Sequence, residues 1–366
     1  MDRRSYLKTS LALGGSLLAP AGVLALVGCS GTSRVPELAG FDGKIMGTSY
    51  SVRLGQSMGE DDPKLAAVAQ AVLSSLQDVD THMSTWRAES ELSRFNDSTD
   101  TDWQPMSSET AAVIAHALDT SASSHGAFDV TVGPLVDLWG FGAGASDASG
   151  AKTVELSSAG TPRKPSSHAI SHSLAQVGSE SIEVNLQQNT VRKLNASSRL
   201  DLSGIAKGHA VDRVAAVLDA YGFESYLVEV GGELRARGSK PNSSAWKVAI
   251  ERPMAGQRDV FRILDLNNAS IATSGDYRNF FADGGQRYSH SIDPRTGAPV
   301  GHELASVSVV HQSTMAADAL STALMIMGPD EAMAYSHKHK IAAHLILKSG
   351  SSLKEVHSPA FESLLG

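Results

Sequence analysis

A single cysteine in 366 residues, Cys29, is the strongest constraint on what this chain can fold into. No disulfide can close within it, so the fold must stand on burial and hydrogen bonding alone. With 42% hydrophobic and 19% charged residues, the composition is that of a globular protein able to bury a real core. Asp62-Pro63 has the form of a helix start, an N-cap followed by proline. Leu65, Val68, Val72, Leu76 and Val79 then recur at spacings of three and four. Further helices are predicted over "SSETAAVIAHALDTSASSHG" (107–126), stopped by Gly126, and over the stripe of Ala210, Val211, Val214, Val217 and Leu218, closed by Gly222. Strands are predicted from Lys44 through "KIMGTSYSVRL", and at "SYLVEVG", "WKVAIE", "ASVSVV" and "AAHLILK". Residues 143–167, rich in Gly, Ala, Ser and Pro, read as a surface loop. Helices and strands mix without a clean βαβ series, so an α+β fold is expected. Length alone admits one large domain or two ordinary ones.

Cys29 ends a leader. Arg3, Arg4 and Lys8 make a basic start, and an apolar run of small residues leads to "LVGC" (26–29). Glycine and proline interrupt the run, which argues against a permanent spanning helix. Leu26-Val27-Gly28-Cys29 resembles the lipobox of bacterial lipoproteins, whose cysteine is lipidated and becomes the mature N-terminus. A plain signal peptide with an incidental cysteine is the other reading. "RRSYLK" (3–8) resembles the twin-arginine export signal, a route for folded proteins; general secretion is the alternative. The expected organisation is a signal peptide with lipobox over 1–29, a tether over 30–40 and a folded domain over 41–366. The protein is expected to be exported and lipid-anchored to a bacterial membrane, facing the periplasm. A formal charge of −8 gives no general attraction to nucleic acid, and no such partner is expected.

Several chemistries are absent from the sequence. There is no G-x-x-x-x-G-K-[ST] loop and no H-E-x-x-H. "GFGAGA" (140–145) lacks the last glycine of a dinucleotide fingerprint and has no clear strand before it. His337 and His339 in "SHKHK" read as a solvated helix face. Three stretches remain. In "DLSGIAKGHAVD" (201–212), Asp201, two glycines and Lys207 lie at a helix start, where free N–H groups and a lysine favour an anion. A tight turn with a surface lysine would read the same. In "TMAADALSTALMIMG" (314–328), Asp318, Ser321 and Thr322 share one helical face, an oxygen set suited to Mg²⁺. A polar face in water is the plainer reading. In "IATSGDYRNFF" (271–281), Thr273-Ser274-Gly275 reads as a hydroxyl-rich turn. His290, in "RYSHSIDPRTGAPVG" (287–301), stands three residues before Asp293-Pro294; a histidine near a metal and a phosphate could be a general base, although a lone histidine is more often structural.

Eight segments in order resemble one family, the ApbE flavin transferases that move FMN from FAD to protein. They are "MGTSYSV" from Met46, "MSTWRAESELSRFN" (83–96), "GAFDVTVGPLVDLWGFG" (126–142), "DLSGIAKGHAVD", "VGGELRARG" (230–238), "IATSGDYRNFF", "YSHSIDPRTGAPV" and "ADALSTALMIMG". The resemblance implies a single-domain, T-fold-like α+β architecture for residues 41–366. It implies Mg²⁺-dependent transfer of FMN from FAD to a threonine or serine hydroxyl of an acceptor protein, with release of AMP. Mg²⁺ ligands would be Asp318 and Thr322, the Gly204 carbonyl and Ser321. Flavin contacts would be Met46, Trp86, Ala127, Phe128, Asp129, Asp201, Lys207 and Ile292. His290 is the candidate base, and Asp201, beside the nucleotide, is the second candidate catalytic residue. "VEVGGEL" stands where the family more often has "VNLGGDI", so Glu229 and Glu233 are expected to alter contacts near Gly231 and Gly232. The acceptor would be a protein such as a membrane redox complex subunit. Mg²⁺-dependent hydrolysis of FAD to FMN and AMP, or FAD binding by a non-catalytic lipoprotein, are the competing readings.

Overall fold

Met46-Gly47 breaks the first predicted strand into a hairpin. In the computed structural model both residues have positive φ, 53° and 69°, as in the two-residue turns whose twist matches their strands. β1 (Gly40–Ile45) turns back as β2 (Thr48–Leu54), with Ile45 opposite Thr48. Methionine rarely adopts this backbone, so nothing in the period-two pattern of Tyr50, Val52 and Leu54 marks the turn. The structure describes residues 38–365 except 60, 144–163, 255, 257, 258 and 278. The leader, Cys29, the tether as far as residue 37 and the body of the predicted 143–167 loop therefore lie outside the described residues. Ala39 is already buried, and its carbonyl accepts a hydrogen bond from the Leu54 N–H.

α1 (Pro63–Met83) begins with the Asp62 side chain accepting from the Lys64 N–H. Its stripe residues Val68, Val72, Leu76 and Val79 are fully buried. α2 (Glu91–Asp97) and β3 (Gln104–Pro105) follow. α3 (Ser108–Ser123) stops three residues before Gly126, whose positive φ belongs to the next turn. α4 (Gly133–Leu138) precedes α5 (Ser167–Leu174), which opens at the last residue of the predicted loop. β4 (Ile182–Asn185) and β5 (Thr190–Lys193) join β3 in a small sheet. α6 (Ala206–Ala220) leads into β6 (Tyr226–Val230) and β7 (Glu233–Arg237), joined through Gly231-Gly232. β8 (Trp246–Glu251) and β9 (Val260–Leu266) form their own hairpin, and β10 (Ala269–Gly275) follows. Thr273-Ser274-Gly275 is thus the end of a strand where a turn was predicted. These residues pair with Ser308, Val307 and Ser306, and small hydroxyl residues suit a strand crowded by a helix. Two short hairpins follow: β11 (Phe280–Asp283) with β12 (Gln286–Ser289), and β13 (Ile292–Asp293) with β14 (Ala298–Pro299). β15 (Leu304–His311), α7 (Thr314–Met327), α8 (Pro329–His339), β16 (Ala342–Ser349), β17 (Ser352–His357) and α9 (Pro359–Glu362) complete the chain.

Eight strands form one antiparallel sheet in the order β1-β2-β6-β7-β10-β15-β16-β17. One face packs on helices: Val52, Val228, Ala272, Val307 and Leu345 share a core with Val72, Val214 and Leu324. The other face meets the β8–β9 hairpin, where Ile271 and Ile346 join Trp246, Val248 and Leu264. A third cluster gathers Leu135, Trp139, Phe281, Tyr288 and Ile292. Pro36–Gly366 form one unit, so the length does not divide into two domains. His337 and His339 are exposed at the end of α8, as the sequence suggests. No helix among the described residues is long and apolar enough to cross a membrane.

Candidate active site

Position 208 has no room for a side chain. A Cβ there would lie 2.4 Å from the Thr314 carbonyl oxygen and 2.7 Å from Asp318 Cβ. Glycine lets α6 close on α7, and its N–H donates to Asp318 Oδ2 at 2.9 Å. Asp318 is buried, not on a face in water; burial pushes its carboxyl pKa up, against the pull of Lys207 and the Gly208 bond. Ser321 donates to the Asp318 carbonyl at 2.9 Å and lies 2.9 Å from Ser274 Oγ. Ser274 Oγ is also 3.2 Å from Thr322 Oγ1. The start of α7 is fixed from α6: Asp212 accepts from the N–H groups of Thr314 and Met315, both at 3.0 Å. A carboxylate there also suits the helix dipole. Across the gap, a Cβ at Gly204 would lie 3.2 Å from both Thr322 Oγ1 and Phe128 Cε2. Asp318, Thr322 and the bare Gly204 backbone thus surround a space kept by a missing side chain. All three offer hard oxygen donors, which fit Mg²⁺.

Lys207, in the first turn of α6, is ion-paired with Glu233 of β7. Glu233 is buried, and burial pushes its carboxyl pKa up although Lys207 opposes the shift. Its Oε2 has no hydrogen-bond partner. A Cβ at Gly231 would lie 3.1 Å from the Lys207 side chain, so the glycine at 231 lets the lysine pass.

His290 Nδ1 lies 3.1 Å from the Asn279 carbonyl oxygen, which also accepts from the His290 N–H at 3.0 Å. A carbonyl only accepts, so this contact assigns the proton to Nδ1 and leaves Nε2 with a lone pair. Burial, with Lys207 adding to it, lowers the imidazole pKa. Phe141 meets the ring edge-on at 6.3 Å.

A cleft of about 650 Å³ is lined by ten of the predicted residues: Ala127, Phe128, Asp129, Asp201, Gly204, Lys207, His290, Ile292, Asp318 and Thr322. Three others are not on it. Met46 is in the β1–β2 turn, two residues from Thr48, which does line the cleft. Trp86 is 70% exposed; its neighbour Thr85 shares with Asp201 a separate hollow of about 30 Å³. Ser321 is enclosed beneath Asp318 and Ser274. Asp129 is buried with its carboxylate accepting from Thr131 N–H and Oγ1 at 2.8 and 2.6 Å and from Ser179 N–H at 3.0 Å. Burial raises its pKa, and these bonds oppose the rise.

Asn96 and Asp212 escaped sequence reasoning, and Glu233 and Ser274 were named without the partners that position them. Asn96 grips Leu200, accepting from its N–H at 2.7 Å and donating to its carbonyl at 2.8 Å, and so fixes the chain before Asp201. Asn96, Asp212 and Ser274 all lie inside segments of the family resemblance, which is the signal available for them. Their partners stand 104, 101 and 47 residues away, which no local pattern reveals.

The sequence profile of the ApbE family matches residues 46–345. This chain belongs to the ApbE family. It is 38% identical over 349 residues to the FAD:protein FMN transferase of Vibrio cholerae, covering 95% of this chain and 98% of that one. It is 34% identical to the FAD:protein FMN transferase of Escherichia coli K12, covering 94% and 95%. The solved flavin transferase ApbE from Vibrio cholerae superposes with a TM-score of 0.78 over 90% of this chain and 99% of that one, at 38% identity. The apo form of Pseudomonas stutzeri flavinyl transferase ApbE also gives 0.78, at 36% identity, over 90% and 97%. The α+β fold described above is therefore the ApbE fold, and the chain is an ApbE-type enzyme.

Proposed function

We propose that this chain transfers FMN from FAD to a threonine or serine hydroxyl of an acceptor protein. The observation that carries the reading is one cleft lined by His290, whose Nδ1 is held by the Asn279 carbonyl, and by Lys207, Asp318, Thr322 and Gly204. The acceptor oxygen forms a bond to the FMN phosphorus while the bond from that phosphorus to the AMP phosphate oxygen breaks. AMP leaves with the bonding pair, and the hydroxyl proton passes to His290 Nε2. Lys207 supplies positive charge beside the diphosphate. Asp318, Thr322 and the Gly204 carbonyl would hold Mg²⁺, which neutralises phosphate charge when bound. Ser321 orients Thr322 through Ser274 in this reading, because its own proton is given to the Asp318 carbonyl. Met46, Trp86, Ala127, Phe128, Asp129, Asp201 and Ile292 contact the flavin nucleotide, Trp86 by stacking. Lipidation at Cys29 and export would set the enzyme at the outer side of a membrane, near an acceptor such as a redox complex subunit.

The test uses the chain from Ser30 onward with FAD, Mg²⁺ and an acceptor domain carrying a flavinylation threonine. A fluorescent acceptor band on a denaturing gel, matched by AMP release, is expected. AMP released at full rate with no band on any acceptor would replace the transferase reading with FAD hydrolysis.

A further inference from the structure

The last two strands of the sheet carry a cluster that the cleft does not use. His344 of β16 and His357 of β17 stand directly opposite each other in antiparallel register, so their side chains leave the same face. Glu355, two residues before His357, shares that face. Its Oε2 lies 3.0 Å from His344 Nε2 and 3.4 Å from His357 Nε2. The three potential ligand atoms all lie within 4.8 Å of one another. The two imidazoles stack at 5.0 Å, and Phe361 packs 5.3 Å from each. Arg262 of β9 holds Glu355 from the other side, Nη2 to Oε1 at 2.5 Å and Nε to Oε2 at 3.0 Å.

Hydrogen bonding within the cluster is incomplete. His344 is 1% exposed, and its Nδ1, the ring nitrogen that does not face Glu355, has no hydrogen-bond partner. His357 Nε2 is also buried without one, and it faces an oxygen that His344 and Arg262 already use. Buried nitrogens left in this state are costly.

We infer that His344, His357 and Glu355 form a second cation site, for a late first-row divalent ion such as Zn²⁺. Two imidazole nitrogens and one carboxylate oxygen are its preferred ligands. Bonds of about 2.0–2.1 Å at tetrahedral angles separate ligand atoms by about 3.3 Å, close to the 3.0 and 3.4 Å found here. Arg262 keeps Oε1 and orients the carboxylate, as partners of metal-bound carboxylates do. Glu355 and His357 are half-buried, which leaves a fourth position to water. The donor set differs from the all-oxygen set in the cleft, so the two sites select different ions. The bound ion would tie β17, the last strand, to β16. The site stands independently of the transfer reaction.

The experiment is a Co²⁺ titration of the mature chain in saturating Mg²⁺, followed by visible absorption. One equivalent giving the strong d–d bands of a four-coordinate ion, and displaced by Zn²⁺, is expected; octahedral oxygen sites absorb weakly. His357→Gln and Glu355→Gln should each weaken this binding about tenfold or more, with unchanged circular dichroism and FAD affinity. Absence of the band in the wild-type chain, or a band undiminished in both variants, overturns the inference.

Discussion

His290 reaches the cleft with one nitrogen committed. The Asn279 carbonyl holds Nδ1 and leaves Nε2 to receive a proton. Its lowered pKa keeps the ring neutral, and so able to act as a base, below the ordinary value of 6.5. The transfer rate should therefore hold on the alkaline side and fall only when pH drops beneath about 6.5. A pH profile of kcat checks this; an acid limb centred above that value would count against His290. His290→Ala should slow protein flavinylation by about 10²–10⁴-fold while FAD affinity, read by equilibrium titration, changes little. At this scale the sequence carried chemical type well. A histidine, a lysine and an oxygen face could be named from Lys207, His290, Asp318 and Thr322. It could not give the Glu233 partner of Lys207 or the Asn279 partner of His290, because those contacts exist only once distant segments meet.

Two helices, α6 and α7, set the oxygens of Asp318 and Thr322, and one glycine sets the helices. Gly208→Ala puts a methyl against backbone at 2.4 Å, where no flexible side chain can yield. It should destabilise the fold by about 1–3 kcal/mol and raise the Mg²⁺ concentration needed for half-maximal activity. Gly301→Ala, where a Cβ meets nothing within 4 Å, is the control and should leave Tm and Mg²⁺ dependence unchanged. Thermal melts and Mg²⁺ titrations of both variants decide the matter. Elements were legible where local signals agreed: Asp62-Pro63 and a regular stripe specify α1, and Gly222 marks the end of α6. They were not legible where packing overrode propensity. Met46 turns a hairpin against its own preference, and Thr273-Ser274 extend as a strand beneath α7 because their side chains are short.

For the whole molecule, the α+β class followed from mixed patterns without a βαβ series, and the eight-stranded antiparallel sheet packed on helices bears it out. The strand order did not, since pairing β7 with β10 skips the intervening β8–β9 hairpin. The cleft draws its walls from residues between Thr48 and Ile326, all of which follow Cys29 in the sequence. Cys29→Ser should accordingly move the protein from the membrane to the soluble fraction of cells. The purified variant should keep its flavin transfer rate. Fractionation followed by the gel assay checks both parts, and membrane retention of the variant would remove the lipid anchor.

The bond from Gly208 to Asp318 spans 110 residues, and this has a consequence in time. A chain still being made has Lys207 and Gly204 long before it has Asp318 or Thr322. Until α7 has been synthesised and has docked on α6, there is no completed pocket to hold a nucleotide. Nucleotide loading is thus an event after synthesis, and it can happen only in a compartment where the finished chain folds and FAD is present. If the chain is exported as proposed, the export route decides where that is. A folded passenger can take its FAD along from the cytoplasm, whereas an unfolded one has to find it on the far side.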